Sequence, residues 1–413
     1  MNKLYFLTLV LFTALLDCKS QTIETKWPSP GDAEKINVLD NKRYYDEVLD
    51  VTAVVDSLKI IRVTFPDVSD YLIEGWKVTL DEDRLFVPLN NKLCVYDLTG
   101  HLLFELKGRS SFPGGMEIGK SNFFIDTNKN EIWMSQKVDD PFLIYSYTGE
   151  LRRKEESKAI ILPGKEDPMY RVYSDFIATD NAMFFATQKS VFHNGNNDNE
   201  FIKDDLFVVN KDGGTISYFP VDKKIPKDDY GNDTNHFSVL NGSFTFHFLN
   251  TDTIYSIDRS NGQVRAKYII DYGENGLDKD VSKLSNNEFM AYIYNSGVKF
   301  GLTRNVVETD NYLLFQYACN NGSDFKTLLY DANSHRIMAK GLLSVGLFKT
   351  RLAFEPAKGQ NKKIVLVAIS DDNGLELSDK GSNYLSEKNK QTIKEIKKGD
   401  IIVLTGMISD TLY

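Results

Sequence analysis

Short apolar runs recur along this chain, each closed by a polar turn, and in five places they combine into a repeated unit. The first unit, RLFVPLNNKLCVYDLTGHLLFEL (84–106), turns at Asp97-Leu98-Thr99-Gly100. The second, EIWMSQKVDDPFLIYSYTGELRRK (131–154), turns at Tyr147-Thr148-Gly149. The third runs from Ala182 to Pro220 with its turn at Lys211-Asp212-Gly213-Gly214. The fourth runs from Ser243 to Ile270, turning at Asp258 to Gly262, and the fifth from Asn311 to Leu342, turning at Asp331 to His335. Runs this short, rich in Val, Ile, Phe and Tyr, read as strands. Units repeating roughly every 40–50 residues indicate stacked supersecondary blocks, and four-stranded blades in a ring are the all-β form of that plan.

Two strands stand outside the repeats. SLKIIRVTF (57–65) precedes the first full unit, and DIIVLTGMI (400–408) follows the last. Neither has a local partner, so pairing them in one composite blade removes the last open edge. Five units and one composite blade predict a six-bladed β-propeller over residues 41–413, closed by its N- and C-terminal strands. One helix is expected near the C-terminus, Ser382 to Lys398, with Tyr384, Leu385, Ile393 and Ile396 as its buried stripe and Gly399 as its stop. Ser190 to Asp205 reads as a polar loop inserted in the third blade. Residues 18–40, polar and Pro-bearing, read as an exposed tether.

The first residues change the compartment. Lys3 precedes an apolar run from Leu4 to Leu16, too short for a bilayer-spanning helix of roughly 20 residues. This is the pattern of an export signal, residues 1–17. Leu15-Leu16-Asp17-Cys18 resembles a lipobox whose cysteine is acylated, with Asp17 where that pattern places a small residue; cleavage after Ser20 is the alternative. Removing Lys3 and Asp17 together leaves the net charge at −9. An acidic exported chain offers no electrostatic case for nucleic acid. Cys94 and Cys319 fall in the first and fifth units, apart in a ring, and read as small buried apolar residues.

Several stretches together carry a family resemblance: Ile36-Asn37-Val38, SLKIIRVTF, KLCVYDLTGHLLFELKGRSSFPGG, FFIDTNKNEIWMSQ and GDIIVLTGM. They resemble the six-bladed β-propeller lipoproteins of Bacteroidetes, distant relatives of the NHL-type propellers. The most specific piece is Gly108 to Glu117, a looser version of the Gly-x-Gly-Pro-Gly-Glu of relatives. The resemblance implies the fold and an exported, often lipid-anchored location, and carries no common activity.

Candidate chemistry is sparse. Gly114 to Ser121 formally matches the phosphate-binding pattern GxxxxGK[ST], but an aromatic strand follows it, not a helix whose N-terminus could hold phosphate. His236 and His247 are more informative. The Asn241-Gly242 pair predicts a two-residue hairpin, which sets His236 opposite His247 on one face and Phe237, Val239, Phe244 and Phe246 on the other. At the channel mouth such a pair could share a ligand; packed against a neighbouring blade, it would be a structural pair bonded to backbone. Arg109, Glu117 and Lys120 in the first connecting loop, Arg171 and Asp175 near the third inner strand, and Arg304 and Arg351 near the fifth and sixth complete the mouth candidates. Basic groups there would suit an anionic ligand such as an acidic sugar. No GxSxG, HExxH, EF-hand loop or CxxC occurs.

The sequence therefore reads as a monomeric, non-catalytic binding propeller of the bacterial cell envelope. It is expected to need no cofactor or metal, to touch the membrane only through a lipid on Cys18, and to engage a glycan, other ligand or partner protein on its upper face. The rival reading is a glycan-directed lyase or hydrolase at the channel mouth, which would need two facing carboxylates or a complete metal shell.

Overall fold

The computed structural model describes residues 21–39, 48–67, 77–89, 92–107, 122–135, 141–155, 173–187, 191–193, 199–201, 205–211, 215–220, 236–240, 242–248, 251–277, 284–295, 301–319, 324–349, 352, 354–359, 363–370 and 375–409. Its strands form six blades in a ring. Blade 1 is Thr79–Asp81, Arg84–Leu89, Lys92–Asp97 and Leu102–Lys107; blade 2 is Asn122–Asp126, Glu131–Ser135, Phe142–Ser146 and Leu151–Glu155. Blade 3 is Tyr173–Ala178, Ala182–Thr187, Asp205–Asn210 and Thr215–Pro220; blade 4 is His236–Val239, Ser243–His247, Thr253–Asp258 and Val264–Asp271. Blade 5 is Gly301–Glu308, Tyr312–Cys319, Asp324–Asp331 and Arg336–Ser344. Each range is given from the inner strand outward, and the first strand of each blade faces the channel.

Blade 6 is the composite that the orphan strands called for. Glu355–Ala357, Lys363–Ile369 and Ile401–Ile408 are joined by Val55–Val63, which pairs antiparallel with the last strand from Ile401↔Val63 to Ile408↔Val55. Val403 and Leu404 are fully buried and Ile60 and Ile61 nearly so, a two-faced apolar pattern buried by blade 5 on one face and blade 1 on the other. Gly406 lets the pair close, because a Cβ there would strike the Ser57 carbonyl and Val55.

Five apolar clusters lie between blades and link each neighbour to the next. Phe86, Val95, Ile132 and Met134 join blades 1 and 2; a phenylalanine-rich cluster (Phe124, Phe142, Phe176, Phe207, Phe237, Phe244) joins blades 2, 3 and 4. Ile254, Tyr268, Phe315 and Leu328 join 4 to 5, Leu314, Leu329, Leu366 and Leu404 join 5 to 6, and Val63, Leu80, Val87 and Val403 close 6 onto 1. Burying each such side chain contributes roughly 2 kcal/mol.

The described part of the segment expected to be an exposed tether, residues 21–39, is instead part of the ring wall. Gln21–Glu24 adds a fifth strand to blade 3 and Glu34–Asn37 to blade 4, and beyond that segment Val48–Asp50 does the same for blade 5, each parallel to the outer strand it covers. Its apolar residues are few, and several are packed. Ile36, Val38 and Leu49 are buried, and Trp27 lies against Phe219, Phe248 and Tyr255 at centroid distances of 4.8, 5.6 and 4.2 Å. Lys340 Nζ donates to the Val38 carbonyl at 2.6 Å, and Lys35 pairs with Asp271 at 2.7 Å. A belt of short strands thus crosses three blades before entering the sixth.

Three local expectations change. The C-terminal helix is two helices, Asp379–Tyr384 and Glu387–Lys394, because Leu385 is extended and Ser386 caps the second by accepting from the Asn389 N–H. The expected stripe survives that break: Leu385, Ile393 and Ile396 are buried, with Tyr384 packed beside them. A further helix, Asn286–Asn295, starts with a Ser285–Glu288 capping box in which Glu288 accepts from the Ser285 N–H at 2.8 Å. The polar insertion of blade 3 contains a small hairpin, Val191–His193 with Asn199–Phe201.

Candidate functional site

Inner strands start on one face of the ring, here the upper face, and their hairpin turns to the second strand lie on the lower face. In blade 3 the central part of the inner strand carries Asp175, which is 4% exposed. Its carboxylate accepts the Phe176 N–H at 2.9 Å and the Phe237 N–H of blade 4 at 3.3 Å. Lys358 of blade 6, on the opposite side of the ring, places Nζ 3.7 Å from the same carboxylate. The channel is therefore spanned by an ion pair. Around it lies a cavity of about 30 Å³ lined by Thr79, Phe123, Phe124, Phe176 and Phe237 as well as the pair, room for about two waters.

Arg304 occupies the inner strand of blade 5. That strand departs from regular pairing on both sides of Arg304, and Asn305 has a φ of 50°. Such irregularities re-aim side chains. The guanidinium carbon lies 3.3 Å from the Phe325 ring centroid, a close cation–π contact. Its Nε is buried and has no hydrogen-bond acceptor among the described residues. Burial holds its pKa below the usual arginine value, with the Glu355 carboxylate of blade 6 opposing that shift. This is a cation placed on an aromatic face at the channel wall, with its Nε unused by the described residues.

The histidine hairpin forms in the expected register, His236↔His247, Phe237↔Phe246, Ser238↔Thr245 and Val239↔Phe244. Its expected place at an open channel mouth does not hold for His247. That side chain is fully buried, and its Nε2 lies 3.0 Å from the Thr251 carbonyl. The polar face of the hairpin packs against the next blade, as the structural alternative required. Ser238 Oγ accepts the Glu308 N–H at 3.2 Å, and the Thr245 hydroxyl donates to the Glu308 carboxylate. The side chain of His236 lies outside the described residues, as do Cys18, Arg109, Glu117, Lys120, Arg171 and Arg351. Of the mouth candidates, the structure thus places Asp175 in the channel and Arg304 on its wall, apart from each other on blades 3 and 5. The phosphate-type glycine stretch also lies outside those residues, and the strand Asn122–Asp126 follows it.

Sequence reasoning missed Lys358, Thr79 and the phenylalanine lining, because no local motif marks which side chains of an inner strand reach the channel. It also missed a recurring interblade device. A buried acid at the lower end of an inner strand accepts from another blade: Asp81 from the Tyr147 hydroxyl, Asp126 from Arg259 at 2.6 and 2.5 Å, and Glu308 from Tyr268 at 2.8 Å and Lys267 at 2.7 Å. Burial, and then the hydrogen-bonded Asp81 carboxylate, push the Tyr147 phenol well above its ordinary value. Burial and the Glu308 charge do the same at Tyr268. These contacts tie the ring together.

The fold and channel define a six-bladed β-propeller with a closed waist. Within that class, the chain belongs to the family described as a domain of unknown function, DUF4934, which matches residues 36–404. Among solved structures, it is similar to a Bacteroides fragilis protein assigned as exported, with a TM-score of 0.58 and 15% identity over 94% of this chain and 100% of that one. A member of the DUF4221 family from Bacteroides vulgatus gives a TM-score of 0.44 at 11% identity, covering 86% of this chain and 97% of that one. A streptogramin B lyase gives 0.37 at 13% identity, covering 84% and 97%. At these identities the likeness is one of fold. No curated protein matches the chain.

Proposed function

We propose that this chain is a non-catalytic binding propeller of the cell envelope, exported, lipid-anchored through Cys18, and engaging an anionic ligand of the acidic-sugar class at its channel wall. Arg304 carries the reading: a guanidinium already oriented by Phe325, whose Nε has no acceptor among the described residues, needs little ordering to meet a carboxylate, and arginine matches that group in two-point fashion. The export signal pattern, the lipobox-like Leu15 to Cys18 and a fold similar to that of a Bacteroides fragilis protein assigned as exported support the location.

The test is calorimetry of the mature chain with galacturonate and glucuronate oligosaccharides, against neutral oligosaccharides of equal length. Binding of the acidic series alone, weakened at least tenfold in Arg304→Gln, is the expected result. Equal affinity of wild type and Arg304→Gln would remove Arg304 from the site, and turnover of the sugar during the titration would return the lyase or hydrolase reading.

A further inference from the structure

The belt fixes where the N-terminal end of the mature chain leaves the ring. Gln21 pairs with Thr215, the first residue of the outer strand of blade 3, and the two strands run parallel. Outer strands start on the lower face: Lys211, just before that strand, donates its N–H to the Asn181 carbonyl in the lower turn of the same blade at 2.8 Å. Gln21 therefore sits at the lower rim of blade 3. Cys18 is three residues upstream, and a fully extended chain of that length reaches about 10 Å. A lipid on Cys18 is confined to that rim whatever the intervening residues do.

The adjoining rim has side chains suited to a lipid surface. Leu102 and Leu103, which follow the lower turn of blade 1, are 42% and 49% exposed, and Leu151, after the lower turn of blade 2, is 49% exposed. Next to Leu151, Arg152 and Arg153 keep side-chain exposures of 45% and 42% while both approach the Glu131 carboxylate, and Lys154 beside them is exposed, with Glu150 and Glu155 flanking the basic run. Exposed leucines interleaved with basic residues suit a headgroup layer, where the leucines enter the acyl boundary and the cations meet lipid phosphates.

We infer that the lower rim of blades 1 to 3 rests on a lipid bilayer and that the upper mouth is turned away from it. The inference rests on the anchor reading above. It accounts for three of the six exposed large apolar side chains among the described residues, Leu102, Leu103 and Leu151, lying at the lower ends of the neighbouring blades 1 and 2, and it leaves the upper channel mouth facing outward.

The experiment uses the full lipidated chain in vesicles of phosphatidylethanolamine and phosphatidylglycerol, with quenching by doxyl-labelled lipid. A fluorophore is placed at Thr148→Cys, in the lower turn of blade 2, or at Ile369→Cys, at the upper end of a blade 6 strand; Cys94 and Cys319 are buried and do not compete for label. Quenching at least threefold stronger at position 148 than at 369, and reduced by Leu102→Glu with Leu151→Glu, is expected. Equal or reversed quenching on a chain whose N-terminal peptide carries lipid by mass spectrometry overturns the orientation and leaves the anchor. An N-terminal peptide without lipid overturns the anchor, and the orientation with it.

Discussion

Replacing Asn389 by alanine tests how the ring is closed. Asn389 lies in the helix Glu387–Lys394 and is 8% exposed. Its Nδ2 donates to the Leu58 carbonyl at 2.7 Å and its Oδ1 accepts the Ile60 N–H at 3.3 Å. Both partners belong to Val55–Val63, the outer strand of the composite blade, so one amide satisfies the edge that would otherwise lie bare under the helix. Alanine leaves a buried N–H and a buried C=O unpaired, at about 1–3 kcal/mol each, with the weaker 3.3 Å bond at the low end. The expected loss is about 3 kcal/mol. With an unfolding entropy of roughly 2 cal/mol/K per residue over about 400 residues, that lowers the Tm by about 4 °C. The assay is urea unfolding followed by tryptophan fluorescence, with the midpoint shifted and the slope unchanged. Asn389→Asp adds a control. It keeps the acceptor for Ile60 but sets a carboxylate against the Leu58 carbonyl, so at pH 7 it loses at least as much as alanine. Protonation at low pH restores a donor and part of the stability. A loss below about 1 kcal/mol in Asn389→Ala, or no recovery of Asn389→Asp in acid, would refute the claim that this helix pins the closing strand.

Three further outcomes follow from the same contacts. Burial raises the Tyr255 phenol to about 12 from 10, so its contribution is complete below pH 10 and is lost as pH rises through 12; between pH 9 and 11 it amounts to roughly 1 kcal/mol, and Tyr255→Phe should flatten the alkaline fall in denaturant stability by that amount. Glu308→Ala strands the hydroxyls of Thr245 and Tyr268 and the Lys267 ammonium, so it should cost about 3–5 kcal/mol in the same assay, whereas Glu308→Gln, which keeps one of the two acceptor oxygens, should cost less. Cys18→Ala should move the protein from the membrane to the soluble periplasmic fraction, checked by fractionation with immunodetection.

Much of this molecule was legible as a pattern. Strand spacing, turn residues and the two orphan apolar runs determined six blades and their closure, because strand periodicity and turn chemistry are local properties. The hairpin at Asn241-Gly242 likewise set His236 opposite His247, since a two-residue turn fixes register. The tertiary structure decided what those elements face. Pairing placed the histidines opposite each other, but the neighbouring blade sealed His247 away from the channel. The N-terminal stretch read as an exposed tether because Ile23 and Ile36 are scattered among polar and Pro-bearing sequence. Each becomes a strand only because a finished blade offers an outer edge to pair with. Lys358 and Asp175 are far apart in sequence and carry no motif, and meet because blades 3 and 6 are opposite in a ring of six. Local chemistry writes strands and turns; which side chains share a channel depends on ring closure, a property of all six blades at once.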